Sequence, residues 1–315
     1  MKPQFMKPQF VKPQFVKPQF MKPQLKRIAL WLLPPAMIGL VRWARAISIG
    51  LPGARRLSWE MVADADEVWT AHPGWAHESI ARTQREKWPG FVRSVDGAQP
   101  LGRSHEASAD AAPDVGAHNT IMSFAYALGR TALGKRRISV LDWGGGAGHY
   151  FVFARKLYPE LDLEFVIKDL ATLCAVGREL LPDATFVADE TQALSRRYDL
   201  VFASSSLHYT RDCYALLDRL CTSAERWLML TRLPIVEDND DFVVVQRPHR
   251  YGYLTEYPGW FLNRTRLVDF VTARGFVLDR EFLVAERPYV PNAPEQAQYA
   301  GFLFGRMTPI RADAS

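Results

Sequence analysis

From residue 138 onward, apolar runs of strand length alternate with stretches of helical periodicity. The runs are ISVLDWG (138–144), LEFVIKD (163–169), ATFVAD (184–189), YDLVFASSSL (198–207) and RWLMLTRL (226–233). Helical patterns fall between them at 148–157, about 171–180 and 212–224. Five apolar strands separated by helices predict a parallel sheet covered on both faces. Two more runs, 276–285 and 298–306, have no helix between them and predict an antiparallel pair at the sheet edge. Upstream, TIMSFAYALGRTAL is apolar at helical spacing, with Asn119 as its expected cap and Ile121, Phe124, Ala125 and Leu128 on its buried face. Leu57 to about Arg93 reads as helical and rich in tryptophan. Residues 94–117, rich in Gly, Ala, Ser, Asp and Pro, read as a linker or loop.

The first 25 residues break this pattern with five pentads: MKPQF twice, VKPQF twice, then MKPQL. Proline at every fifth position blocks both a helix and a paired strand, so an extended, disordered tail is expected. Ile28 to Val41 is then apolar, broken by Pro34-Pro35, and at fourteen residues is shorter than the ~20 that a membrane span requires. As a helix from Pro35 it would carry a broad apolar face, with Arg42 and Arg45 on the narrow polar side and Trp31 and Trp43 placed for headgroup depth. An interfacial segment is the expectation for this stretch, with packing on the body as the alternative.

Charge changes the picture more than composition does. Residues 1–60 hold eleven basic residues and one acid, Glu60, which leaves the rest of the chain with 28 basic and 33 acidic residues. A basic arm on a mildly acidic body fits an anionic membrane surface and gives no support to nucleic-acid binding by the body. Hydrophobic residues at 48% and charged residues at 23% suit a folded protein and exclude a disordered or fibrous chain. Cys174, Cys213 and Cys221 show neither a disulfide framework nor metal-ligand spacing and suit a reducing compartment; no metal is expected.

The chemistry concentrates where the first strand ends. Asp142 precedes Gly144, Gly146 and Gly148 in the spacing D-x-G-x-G-x-G. Such glycines allow a tight turn and let backbone N–H groups at a helix start approach a ligand closely. The dinucleotide fingerprint G-x-G-x-x-G would require a glycine where His149 stands, which disfavours a nicotinamide oxidoreductase. Asp169 follows Gly148 by 21 residues, at the end of the second strand, where a carboxylate can accept both ribose hydroxyls; Asp189 ends the third strand, near the expected adenine. Together these features point to S-adenosylmethionine.

With these residues and the terminal strand pair, the chain resembles class I S-adenosylmethionine-dependent methyltransferases. LPP (33–35), SSSLHY (204–209), YPGWFLNR (257–264) and YAGFLFGR (299–306) resemble a narrower bacterial group often associated with surface-polysaccharide genes. The resemblance implies a Rossmann-like α/β fold with a seven-stranded, mostly parallel sheet in the order 3-2-1-4-5-7-6, strand 7 antiparallel, and an N-terminal helical extension. The resemblance spans about residues 25–306 and leaves the pentads outside; with the patterns above, the expected division is a repeat tail (1–25), an apolar and basic segment (26–56), a helical extension and loop (57–117), a cofactor-binding methyltransferase domain (118–306) and a short tail (307–315). The expected activity is methyl transfer to a hydroxyl of a sugar or surface-polysaccharide precursor, by a cytoplasmic protein in peripheral contact with the inner face of the membrane through residues 26–47. A silent binding protein of the same fold is the alternative.

A hydroxyl acceptor calls for a base, and His208 with adjacent Tyr209 lies just past the fourth strand, where acceptor-facing groups of this fold gather. The competing reading for His208 is a structural histidine bonded to a loop carbonyl. His118, Tyr257 and Trp260 are candidate acceptor contacts, with ordinary packing as the competing role; His149 can simply start the helix.

Overall fold

A computed structural model describes residues 58–62, 65–71, 73–103 and 111–307. The pentads and residues 26–47 lie outside the described residues. The described chain forms ten strands: β1 (Trp59–Met61), β2 (Arg137–Trp143), β3 (Asp162–Lys168), β4 (Thr185–Val187), β5 (Tyr198–Ser204), β6 (Ala224–Val236), β7 (Phe242–Gln246), β8 (Tyr257–Asn263), β9 (Phe276–Leu283) and β10 (Gln298–Arg306). The helices are α1 (Ala65–Ala71), α2 (Glu78–Asp96), α3 (Val115–Ala132), α4 (His149–Leu157), α5 (Ala171–Leu180), α6 (Glu190–Ala193), α7 (Cys213–Ser223) and α8 (Arg264–Thr272).

Seven strands lie in the order β4-β3-β2-β5-β6-β10-β9, the expected 3-2-1-4-5-7-6, with β10 antiparallel to both neighbours. Pairing from β4 to β6 is parallel throughout. This is a Rossmann-like α/β fold. Alternation along the central strands divides the core between two faces. Leu141, Val201 and Leu228 pack under α7 and α8, while Val140, Phe202 and Met229 pack under α2, α3 and α4. Both faces are covered, which is why these strands read as continuous apolar runs.

Three strands extend the expected sheet. β8 pairs with the last two residues of β6, β7 returns antiparallel on β8, and β1 adds to β7. Thus 59–61, expected to be helical, is a strand: its pairing with Val244–Gln246 lies more than 180 residues away and leaves no local periodicity. The cap of α3 is Asp114, whose side chain accepts from Ala117 N at 2.9 Å; Asn119 sits inside the helix. The helix starts earlier than its apolar pattern because its first turn is partly exposed, with Val115 64% accessible.

Gly177 on α5 packs directly against Phe186 of β4, where a Cβ would lie 2.2 Å from the ring. Replacement by alanine overpacks a rigid contact, so Gly177→Ala is expected to cost about 1–3 kcal/mol in urea unfolding. An unchanged midpoint would show that this helix is free to move away.

Candidate active site

β2 ends at the sheet's switch point, where crossover connections diverge to β3 on one side and β5 on the other. Its glycine turn is pinned to the end of β3, since Gly144 N and Gly145 N donate to Lys168 O at 2.8 and 3.3 Å. Gly144 and Gly146 adopt φ of +73° and +59°, a region open mainly to glycine. A Cβ on Gly144 would meet the Ser206 side chain at 2.3 Å, and one on Gly146 would meet Gln84 Oε1 at 3.2 Å. Gly148, at φ +96°, begins α4.

Two acids flank the turn. Asp142 is 1% exposed and neither carboxylate oxygen has a hydrogen-bond partner. Burial, and then the charge of Asp169, push its pKa well above the ordinary carboxylate range. Asp169 is partly buried and accepts from Gly146 N at 2.7 Å and Leu170 N at 2.6 Å. Burial raises its pKa as well, against the lowering effect of those two bonds. An uncompensated buried acid favours a cationic ligand beside it.

A cleft with a cavity volume of about 240 Å³ opens over this turn. Gly144, Gly146 and Asp169 line it, with Trp75, Lys168, Tyr150, Ser206, Tyr209 and Arg232 among the surrounding groups. Gln84 closes it from α2: its buried Oε1 accepts from Ala147 N at 3.2 Å, so the N-terminal extension completes the turn. Sequence reasoning missed Gln84, because a glutamine sixty residues ahead of the turn differs in no local way from any other helix residue. Ser206 was within reach, as the third serine of the run after β5; its Oγ donates to Trp143 O at 2.7 Å.

Other expected site residues lie elsewhere. Asp189 is an exposed helix cap accepting from Gln192 N at 2.6 Å and does not line the cleft; the short β4 ends before reaching it. His118 donates through Nδ1 to Leu101 O at 3.0 Å and also lies off the cleft, whereas its helix neighbours Ala117, Thr120 and Ile121 line it. Tyr257 is buried behind the site, stacked on Trp75 with centroids 4.7 Å apart. Trp260 donates to Arg211 O at 3.1 Å, away from the cavity. His149 lines the cleft but is buried edge-on against Trp88 and Phe91.

His208 and Tyr209 separate sharply. Tyr209 lines the cleft and donates its hydroxyl to Gln246 Oε1 at 2.6 Å. His208 is 1% exposed behind it, its ring 4.0 Å from the Tyr209 ring and both nitrogens without partners. Burial, and then Arg232, lower its pKa to about 3. A neutral imidazole so enclosed does not face an acceptor in the cleft, contrary to the expected position of a base.

The backbone on this side of the cleft is strained. Ser205 and Arg232, neither a glycine, have φ of +52° and +49°, and Ser205 N donates to Thr231 O at 2.9 Å. Each such conformation costs on the order of 1–3 kcal/mol. Arg232 sits in a bulge of β6, where Thr231 and Arg232 oppose the single residue Gly301 of β10. Bulges beside active sites re-aim side chains. Here the bulge presents Arg232 to the cleft while Glu286 grips its Nε and Nη2 at 3.0 Å each.

No protein-family model matches the chain, and no curated protein matches its sequence. Solved structures do resemble it in part. Magnesium protoporphyrin IX methyltransferase from Synechocystis PCC 6803, with bound SAM, is 17% identical over 74% of this chain and 99% of its own, at a TM-score of 0.44. An S-adenosylmethionine-dependent methyltransferase from Clostridium acetobutylicum is 9% identical over 60% and 92%, at 0.40. The 1,6-didemethyltoxoflavin-N1-methyltransferase of Burkholderia thailandensis is 15% identical over 72% and 89%, at 0.41.

The position of His208 has a consequence for stability. Its folded pKa of about 3 lies below the ordinary 6.5, so the unfolded chain takes up a proton that the folded chain refuses. The stability associated with its neutral form is complete above about pH 6.5 and falls as pH drops towards 3. Replacing it with phenylalanine, which cannot titrate, should flatten the pH dependence of urea unfolding between pH 7 and 5. The difference in slope should approach one proton, about 1.4 kcal/mol per pH unit. Equal slopes for the two proteins would show that His208 reaches water.

Proposed function

We propose that the protein is an S-adenosylmethionine-dependent methyltransferase acting on a hydroxyl of a sugar or surface-polysaccharide precursor. The observation that carries the cofactor is the pair Asp142 and Asp169 beneath and beside a left-handed glycine turn at the C-terminal ends of β2 and β3. The site fits the cofactor. Glycines leave room where side chains would intrude, a carboxylate stands at the end of β3 for ribose hydroxyls, and a buried acid awaits positive charge.

When bound, S-adenosylmethionine supplies a methyl group on a good sulfonium leaving group. The chain's own contribution is alignment, and proximity with orientation can supply on the order of 7–11 kcal/mol. Gln84 and the Ser206 bond to Trp143 O keep the turn in place. Tyr209 lines the cleft with its hydroxyl held by Gln246, and its fixed ring can help to position an acceptor there. The alternative, a silent binding protein, places the same demands on the glycine turn and differs only in turnover.

The sugar or polysaccharide acceptor is supported by the resemblance of SSSLHY, YPGWFLNR and YAGFLFGR to the bacterial group noted above. Comparing surface-glycan masses of wild-type and deletion strains tests it: loss of one methyl increment is expected, and unchanged glycans would remove this acceptor class.

Calorimetry tests the cofactor assignment. The wild-type protein should bind S-adenosylmethionine and its demethylated product and fail to bind NAD. Asp169→Ala should weaken S-adenosylmethionine by at least tenfold, because a hydrogen bond to a charged group contributes about 1.5–3 kcal/mol. Asp142→Asn should weaken it too while raising the melting temperature of the ligand-free protein. The sign follows from the raised pKa: the wild type loses stability as pH rises through that pKa, so the gain in the Asn variant should grow with pH. Unchanged affinity in both variants would place the cofactor elsewhere.

A further inference from the structure

We propose that a second, smaller cavity adjoining the cleft binds an anionic group of the acceptor, a carboxylate or a phosphate. The proposal rests on reading the cleft as the methyl-transfer site, and it narrows the acceptor to acidic molecules. The cavity has a volume of about 80 Å³, well above the ~10–15 Å³ that one water needs. Ser205, Tyr209 and Arg232 line both spaces, so a group held in the smaller one leaves the rest of its molecule in the cleft.

The wall chemistry sets the sign. Arg232, Arg250 and Arg287 line this cavity, against one acid, Glu286. Glu286 is engaged by Arg232 through two bonds of 3.0 Å, which fixes the plane of that guanidinium. Arg250 lies over the Tyr251 ring at 4.5 Å and donates to the Tyr251 hydroxyl, and Arg287 Nη2 donates to Gln298 Oε1 at 2.9 Å. Both thus contact neutral groups, and neither has an acidic partner among the described residues. Two arginines without counter-charge beside a third held in plane make a donor set suited to the forked geometry of carboxylate and phosphate.

The architecture explains how these groups meet. Arg232 is turned here by the β6 bulge opposite Gly301, Arg250 follows β7, and Arg287 follows β9. Gln246, which lines the same cavity, holds the Tyr209 hydroxyl at 2.6 Å. β7, one of the three added strands, thereby connects this cavity to a residue that lines the cleft.

Glucuronate, glucose 1-phosphate and neutral glucose are suitable probes, titrated into the full-length protein with and without S-adenosylhomocysteine and followed by saturation-transfer NMR. At least one anionic probe should bind tenfold or more tightly than glucose, and the better of the two identifies the anion. Affinity should fall as salt rises. An Arg250→Gln/Arg287→Gln double variant should lose at least tenfold in anion affinity and keep its affinity for S-adenosylhomocysteine, which also reports that it is folded. Arg250→Lys, which keeps the charge and loses the fork, should lie between. Glucose binding as tightly as both anions, or a double variant that binds them unchanged, overturns the proposal. Because anion binding is also measured without S-adenosylhomocysteine, absence of cofactor binding would fail the methyltransferase reading separately from the anion site.

Discussion

Asp142 is an acid held almost out of water with no hydrogen-bond partner for either oxygen, directly under a turn whose left-handed backbone favours glycine. Burying an acid this way is costly unless positive charge arrives or the group stays protonated. Much of the site can be read from that constraint. The turn must leave its backbone open to a ligand, the neighbouring acid must be held by the Gly146 and Leu170 amides, and the helix above must supply Gln84 to accept from Ala147 N. The apolar sheet core bears the burden, with both faces of β2 and β5 packed by helices.

The features legible in the sequence are those with a local signature. Apolar runs of strand length located β2 to β6 and the β9–β10 pair, and the glycine spacing with Asp169 located one wall of the cleft. What escaped depends on contacts between distant segments. β1 becomes a strand only by pairing with β7, and β7 and β8 form by building outward from the end of β6. Gln84 and Arg232 have ordinary sequence surroundings and acquire their positions from α2 packing and from a bulge. His208 illustrates the opposite error: a titratable residue in a suggestive position proves to be buried behind its neighbour Tyr209.

The two sides of the cleft differ in kind. Where the glycine-turn side uses glycine and backbone amides, the other side uses a strained Ser205–Arg232 pair, an arginine-lined recess and aromatic walls from Trp75 and Tyr209. Strain of this kind persists when surrounding structure over-determines it. The Glu286 fork and the Ser205 bond to Thr231 O provide that support.

Hydrogen exchange locates the ligand directly, since amides that contact it or are closed over by it slow their exchange. Exchange on the full-length protein, with and without S-adenosylhomocysteine, should show new protection in segments 143–150 and 168–173, with a smaller change around Gln84 on α2. Protection confined to other segments, or none at saturating ligand, would contradict the assignment of the glycine turn and its two acids as the cofactor site.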